Sequence, residues 1–454
     1  GLCMIKFNLE NFSLEAKYFK KLGLPILGSQ LVMYAMTTTD YIMAGYYSAN
    51  DLAGVGLGAS IFNPLYFLTA GVMFGIGPII AQHYGAREFD KIKIKTRRFL
   101  WVALFMGILF ALLLSNGNIV LNALGTEDSI RSVSLGYLTA VSYGAIPIAL
   151  YQALRNYSEG ITQTKIVFMI GGLGFLLNIP LNYFFIFSMD LGGIGCGVAT
   201  ALVSWIGLIV LWLATLFLKN YKKSYIYGKF LFPNIKNTLE ILRIGTPISF
   251  GIFVELSMFS GAALIISMFG STSLAAHTIA INIVGLIFML PLSLGLASAI
   301  RVGNLIGEKN YPKANYAANF SLRLSFFIAI LNFCLLLMAG ELLIGLYTSD
   351  QSVVIKALGL LALAAIFQIP DAIGFSAIGS LRGHKDTFIT MVNLVISYWF
   401  FALPIGIYLA FNEIAGLPNE AEGIWVGMII GITMSAILNT GRLKYKKGLL
   451  KKLS

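Results

Sequence analysis

Twelve apolar stretches, each of about 20 residues or more, run along the chain and leave little room for a fold that water could surround. They lie at 22–46, 52–82, 99–123, 132–154, 166–189, 193–218, 242–269, 274–300, 319–346, 352–381, 388–411 and 422–441. Each is long enough for a helix to cross roughly 30 Å of hydrocarbon. Backbone groups in lipid find no water to bond, so a spanning segment is a helix or part of a closed barrel. A barrel would show segments of about ten residues with alternating apolar and polar positions, a pattern missing here. With 57% hydrophobic and 11% charged residues, against roughly a quarter charged in soluble domains, the chain reads as an all-α membrane protein.

A net charge of +12 would suggest nucleic-acid binding in a soluble protein, but the positions of the basic residues give a different answer. Assigning the connections alternately to two sides places 30 of the 32 lysines and arginines on one side, leaving Arg131 and Lys356 on the other. By the positive-inside rule, both termini are expected in the cytoplasm and the number of spans is even. The first apolar stretch continues as a full span, so no cleavable signal peptide is expected, and Gly1 to Cys3 ahead of Met4 read as an added remnant. Cys3, Cys196 and Cys334 are too scattered for a disulfide framework or a zinc site and are expected to act as small apolar fillers.

The chain repeats itself after 222 or 223 residues. Pro25 corresponds to Pro247, Leu52-Ala53 to Leu274-Ala275, Gly85 to Gly307, Pro147 to Pro370 and Gly160 to Gly383. The Gly193-Ile194-x-x-Gly197 turn returns as Gly423-Ile424-x-x-Gly427. Six spans per half make this a parallel repeat about an axis along the membrane normal. The expected organisation is an N-lobe at 1–218, a cytoplasmic linker at 219–241 and a C-lobe at 242–454 with a basic tail. Two pseudo-symmetric six-helix bundles facing one another would enclose a cleft and could alternate its opening, the behaviour of a transporter rather than a static pore.

Of 20 acidic residues, only Asp40, Glu255 and Asp371 lie well inside apolar stretches. A carboxylate near the bilayer interior costs at least about 2.5 kcal/mol, so such residues normally face a cavity and mark ion or substrate pathways. No lysine or arginine is expected at comparable depth. The competing reading is that each acid is simply protonated or bonded to a neighbouring helix. Helical spacing puts Met33, Met36 and Thr37 beside Asp40, Met258 and Phe259 beside Glu255, and Phe367, Gln368 and Phe375 beside Asp371. Acid, methionine and aromatic rings together suit a bulky organic cation, although each ring or thioether also fits ordinary packing.

Pro370 leaves the carbonyl of Ile366 without its helical donor one turn before Asp371, making a second cation ligand available. Pro147 does the same for Tyr143, and Pro180 sits between Asn178 and Asn182. Asn178, Asn282 and Asn393 are further candidates for coupling, or simply bridge helices. His83, His277 and His384 are expected to be solvated residues at helix ends and turns. Phosphate-cradling glycine loops with Lys-Ser/Thr, HExxH and GxSxG are all missing, which disfavours an ATP-driven pump or another enzyme.

The stretches Pro25 to Gly45 with Asp40, Gly75 to Gly85 (GIGPIIAQHYG), Pro291 to Gly307 and Arg382-Gly-His-Lys-Asp-Thr387 resemble the multidrug and toxic compound extrusion (MATE) family, most closely its bacterial NorM-type branch. The resemblance covers nearly the whole chain. It implies a twelve-helix exporter in the bacterial inner membrane that takes Na+ or H+ inward and sends cationic dyes and drugs outward, as a monomer with no cofactor and no nucleic-acid partner. By motif, Asp40 with Asn178 would be the N-lobe site, and Glu255 with Asp371 the C-lobe cation pair, able to hold Na+. Phe259, Phe367, Gln368 and Asn282 complete the candidate site. Some members carry a tyrosine where this chain has Phe367, and Asn304 replaces the usual glutamine of a Val-Gly-Gln segment. A lipid-linked oligosaccharide flippase of related architecture is the alternative, disfavoured because its pyrophosphate would require basic residues at membrane depth.

Overall fold

The expected spans all fall on helix in the computed structural model, which describes residues 9–123, 127–413, 416 and 418–453. Cys3 and the residues around Met4 lie outside them. In the first half, α1 (Leu9–Tyr47) is followed by α2 (Ala49–Met73) and α3 (Ile76–Gly85), which together make one span. α4 (Phe89–Ser115) leads into the short α5 (Asn118–Ala123), then α6 (Asp128–Ser142) and α7 (Ala145–Gly160). α8 (Thr164–Tyr183) runs on through a π-helical turn, Phe184–Ser188, before α9 (Gly193–Phe217). The second half comprises α10 (Ile235–Ile266), α11 (Ser271–Gly307), α12 (Tyr311–Gly345) and α13 (Gln351–Gly383). It ends with α14 (Thr387–Val395), the π-helical Ile396–Ala402, α15 (Leu403–Phe411) and α16 (Glu420–Leu453). No strand occurs among the described residues.

Among the described residues, ten helical runs are long and apolar enough to span a membrane, and α6 with α7, bent by 51°, makes an eleventh if the pair is one span. α1, the remaining expected span, does not meet that test; it carries Ser29, Gln30, Thr37 to Thr39 and Asp40. The α6–α7 bend has a sequence cause. Pro147 cannot donate to the Tyr143 carbonyl, and the Trp205 indole N–H donates to it instead at 3.0 Å. At Gly144, in the bend, a β-carbon would come within 2.8 Å of the Ala201 backbone.

Packing divides the chain into two compact units, Gly28–Ile252 and Gly1–Leu27 with Phe253–Ser454. The expected partition followed chain order; these units follow packing, so α1 and α10 each pass from one unit to the other shortly after a proline, Pro25 or Pro247. The start of α10 is fixed within Gly28–Ile252 by an ion pair from Lys95 to Glu240 at 2.6 Å and a hydrogen bond from Arg98 to Asn237 at 2.6 Å. In the other unit, Arg301 grips Glu15 through two hydrogen bonds of 2.6 and 2.9 Å, with the Tyr18 ring 3.7 Å from the guanidinium. The connection after α9 lies on the first unit, with Tyr221 donating to Ser158 at 3.0 Å and Arg97 donating to the Ile226, Tyr227 and Lys229 carbonyls.

The repeated glycines are close-packing points in both units. A β-carbon on Gly197 would lie 2.8 Å from the Tyr137 carbonyl, and one on Gly427 would collide with the backbone of Gly406. Gly379 likewise lies against the backbone of Gly295, locking α13 onto α11. Gly192 has φ 55°, a left-handed conformation that glycine adopts without steric cost and that lets the chain turn into α9.

Candidate functional site

Each unit holds its own carboxylate centre. In Gly28–Ile252, α1 presents Asp40 to two asparagines one turn apart on α8. Asn182 Nδ2 donates to Asp40 Oδ1 at 2.5 Å, and Asn178 Nδ2 donates to the same oxygen at 3.3 Å. Asn182 also donates to Asn178 Oδ1 at 3.0 Å, which fixes both amides. From α9, Thr200 Oγ1 donates to Asp40 Oδ2 at 3.5 Å and the Cys196 thiol to the Asp40 carbonyl at 3.5 Å. Both asparagines are fully buried, and Asn182 Oδ1 has no partner among the described residues. Asn178 therefore sits beside Asp40. Thr37 instead bonds its own helix at the Met33 carbonyl, and Met33 Sδ accepts from Arg155 at 3.3 Å.

The second unit is built differently. Glu255 on α10 is half-buried and Asp371 on α13 is buried. Among the described residues, neither carboxylate has a hydrogen bond or an ion pair within 4.0 Å, while each lies within electrostatic range of the other. The rings form a chain beside them: Phe259 stands 6.2 Å from Phe367, and Phe367 stands 6.0 Å from Trp425. Gln368 is fully buried; its Oε1 accepts from Asn332 at 3.3 Å and its Nε2 is unpartnered among the described residues. Asn282 is not drawn in. It is exposed and bonds the Thr278 carbonyl of its own helix at 2.8 Å. Met258 is core packing.

Several features lay outside the sequence reading. Tyr398, in the π-helical turn, lies within electrostatic range of both Glu255 and Asp371. His277 is buried, not solvated as expected, and its Nδ1 accepts from the Trp425 indole at 3.1 Å, which assigns its ring proton to Nε2. His83 and His384 are also half-buried and bonded: His83 to Glu88 at 2.6 Å, His384 to the Ser380 carbonyl at 2.8 Å. Lys91 first and His83 second hold the Glu88 carboxyl below its ordinary range. Cys196 is buried as a filler would be, but Cys334 is exposed.

Basic side chains that the sequence reads as loop charges are nevertheless buried in the protein. Arg155 is buried against Glu159 at 2.8 Å and Arg301 against Glu15, while buried Arg382 lies within electrostatic range of Glu255. All three sit on helices that continue past the apolar stretches, where the sequence reads as loop. Among the described residues no group of three or more His, Cys, Asp or Glu is arranged to hold a metal ion, so a cation at Glu255 and Asp371 would be held by two carboxylates and neutral oxygens.

Spanning helices in two repeated sets, with carboxylates held among them, define the class as a multi-pass membrane transporter. The chain belongs to the MatE family, whose pattern matches it twice, over residues 25–184 and 247–408. The two matches begin at Pro25 and Pro247, the first landmarks of the internal repeat. It is 36% identical over 440 residues to the multidrug resistance protein NorM of Vibrio cholerae serotype O1, covering 96% of each chain. It is 33% identical over 441 residues to that of Photobacterium profundum, covering 96% of this chain and 97% of the relative. Among solved structures it resembles the eukaryotic MATE transporter AtDTX14, with a TM-score of 0.88 at 20% identity over 97% of this chain and 99% of that one. An outward-facing multidrug resistance MATE family transporter of the MOP superfamily gives a TM-score of 0.87 at 20% identity, covering 96% and 97%. At that identity the structures establish the fold.

Proposed function

We propose that the protein is a secondary active multidrug efflux antiporter of the bacterial inner membrane, exporting cationic amphipathic compounds in exchange for Na+ or H+. The observation that carries this reading is the Glu255 and Asp371 pair, two acids within electrostatic range of one another that no donor holds among the described residues. An acid inside the membrane is costly, and two neighbouring acids repel, so a small cation bound there relieves both penalties. A cationic dye supported by the Phe259 and Phe367 rings would relieve the same penalties. Two ligands that neutralise one charge cluster in different conformations compete, and that competition couples inward ion flow to outward dye flow. Asp40, with its amide cradle, contributes a second binding point. In this reading the chain works as a monomer with both termini in the cytoplasm and needs no cofactor beyond the coupling ion.

The test is ethidium efflux from proteoliposomes with Na+ and H+ gradients imposed separately. One of the two gradients drives efflux in the wild type, while Asp371→Asn and Glu255→Gln stay folded and lose it. Wild-type rates in both variants would remove the pair from the mechanism. Movement of a lipid pyrophosphate without any response to either ion would favour the flippase alternative.

A further inference from the structure

Along α13, every fourth residue from Gln368 to His384 at its C-terminal cap is polar except one: Gln368, Ala372, Ser376, Ser380 and His384. Steps of four drift only about 40° each, so these side chains form one stripe that winds slowly around the helix. The neighbouring helices meet the stripe with polar groups of their own. Asn332 of α12 donates to Gln368 Oε1 at 3.3 Å, and the hydroxyls of Ser321 on α12 and Ser376 lie 2.7 Å apart. The hydroxyls of Ser298 on α11 and Ser380 lie 2.8 Å apart. Ser325 shares a face of α12 with Ser321 and Asn332, and between those two bonded pairs it falls level with Ala372, the one apolar step. All five serines and Gln368 are fully buried.

Serine pairs by themselves are ordinary glue between membrane helices. Glue leaves nothing unsatisfied, and this seam does. Among the described residues, Gln368 Nε2 at one end, Ser325 Oγ in the middle and His384 Nε2 at the other end are buried without a partner. Buried polar groups in that condition are characteristically met by ordered water. The spacing suits it, because a step of four residues advances roughly 6 Å, about two hydrogen bonds through one water. His384 adds a second point. A carbonyl only accepts, so in the neutral ring the 2.8 Å bond to the Ser380 carbonyl puts the proton on Nδ1 and leaves Nε2 as a base.

We infer that this seam is a hydrated proton path, running roughly 20 Å along α13 from the level of Asp371 to His384, at the helix end that the proposed topology puts in the cytoplasm. The inference rests on the antiport reading above and deepens it, by naming the proton as a coupled ion and giving its route. Each hydroxyl or water takes up one proton as it releases its own to the next, so nothing is consumed; the last proton passes to His384 Nε2 and from there to solvent. Gln368 and Asn332 orient water at the inner end, where Asp371 follows Gln368 by three residues on the same side of α13. A sodium ion would have to part the bonded serines to pass, whereas a proton travels along them. The charged groups around His384 among the described residues are Asp386 and, on α16, Lys446 and Lys447, with Asp386 itself held by Arg442 at 2.7 Å.

The test is ethidium efflux from proteoliposomes driven by an imposed pH gradient. Ser325→Val, which removes the hydroxyl and fills the space beside it, lowers the maximal rate at least about tenfold and leaves ethidium affinity within about twofold of wild type. Ser325→Thr, which keeps a hydroxyl, stays within about threefold in rate. A second measurement needs no turnover. With Cys3, Cys196 and Cys334 changed to alanine, Ser325→Cys reacts with Ag+ added from the cytoplasmic side, because that ion is small enough to follow a file of water. Leu336→Cys, in the apolar core on the same helix, does not react. Wild-type rates in Ser325→Val, or equal Ag+ reactivity of the two cysteine variants, would overturn the inference. So would a loss of ethidium affinity that accounts for the loss of rate, since Ser325 would then be a packing residue, and so would a wild type driven by Na+ alone. A wild type that answers to neither ion would instead overturn the antiport reading, while the Ag+ result still decides whether the seam holds water.

Discussion

Asp40 and the Glu255–Asp371 pair occupy matching halves of a repeated scaffold, yet their charge is managed in opposite ways. Asp40 accepts from Asn182, Asn178 and Thr200, so protein dipoles take the place of water around it. Glu255 and Asp371 have no such donors among the described residues and interact only with each other, Tyr398 and a distant arginine. A carboxylate surrounded by amide donors tolerates its charge without help. A pair left bare is stable only when a proton, a metal ion or an organic cation joins it. In the proposed antiport cycle, cation exchange would belong to the second half and a steadier, preformed binding point to the first.

The sharpest way to break this comparison is at Asp371. Asp371→Asn or Glu255→Gln should bring ion-driven ethidium efflux to background, a loss of at least about 100-fold for a step needing both carboxylates. Thermal unfolding in detergent should show no loss of stability, since a costly charge has been removed. Acids that already have partners should behave in the reverse manner. Glu15→Gln leaves Arg301 buried and unpaired, and a drop of about 3–5 kcal/mol in unfolding free energy is expected. A smaller effect is expected at Asn182. Asn182→Ala removes the donor at 2.5 Å from Asp40, at a cost of about 1–3 kcal/mol in unfolding free energy. The half-saturating concentration of the coupling ion, set at the other acids, should stay unchanged. The smallest change is at Trp425→Phe, which removes the indole donor to His277 and should cost about 1 kcal/mol by the same unfolding measurement.

The repeat was legible because its landmarks are proline and glycine, whose positions report backbone geometry. Pro25 and Pro247 open the two family matches, and Gly197 and Gly427 both lie where a β-carbon would meet a neighbouring helix. The three intramembrane acids stood out from cost alone, whereas Asn178 beside Asp40 was implied by the family resemblance. What escaped has physical reasons. Arg155, Arg301 and Arg382 sit at the ends of apolar runs and read as loop charges, but α7, α11 and α13 carry them on into packed structure. The partner of Arg301 lies 286 residues away, beyond the reach of any local pattern. Tyr398 lies in a π-helical turn, where the 3.6-residue period no longer says which face a side chain joins. His277 sits near the start of α11 and looks solvated until Trp425 of α16 covers it.

The most direct test of cation exchange at bare carboxylates is an equilibrium titration of ethidium against Na+ and against protons on the purified protein. The account predicts that one of the two cations displaces the dye from wild type, and that Asp371→Asn removes the displacement while the protein stays folded. Dye binding indifferent to both cations, or displacement that persists undiminished in Asp371→Asn, would contradict it.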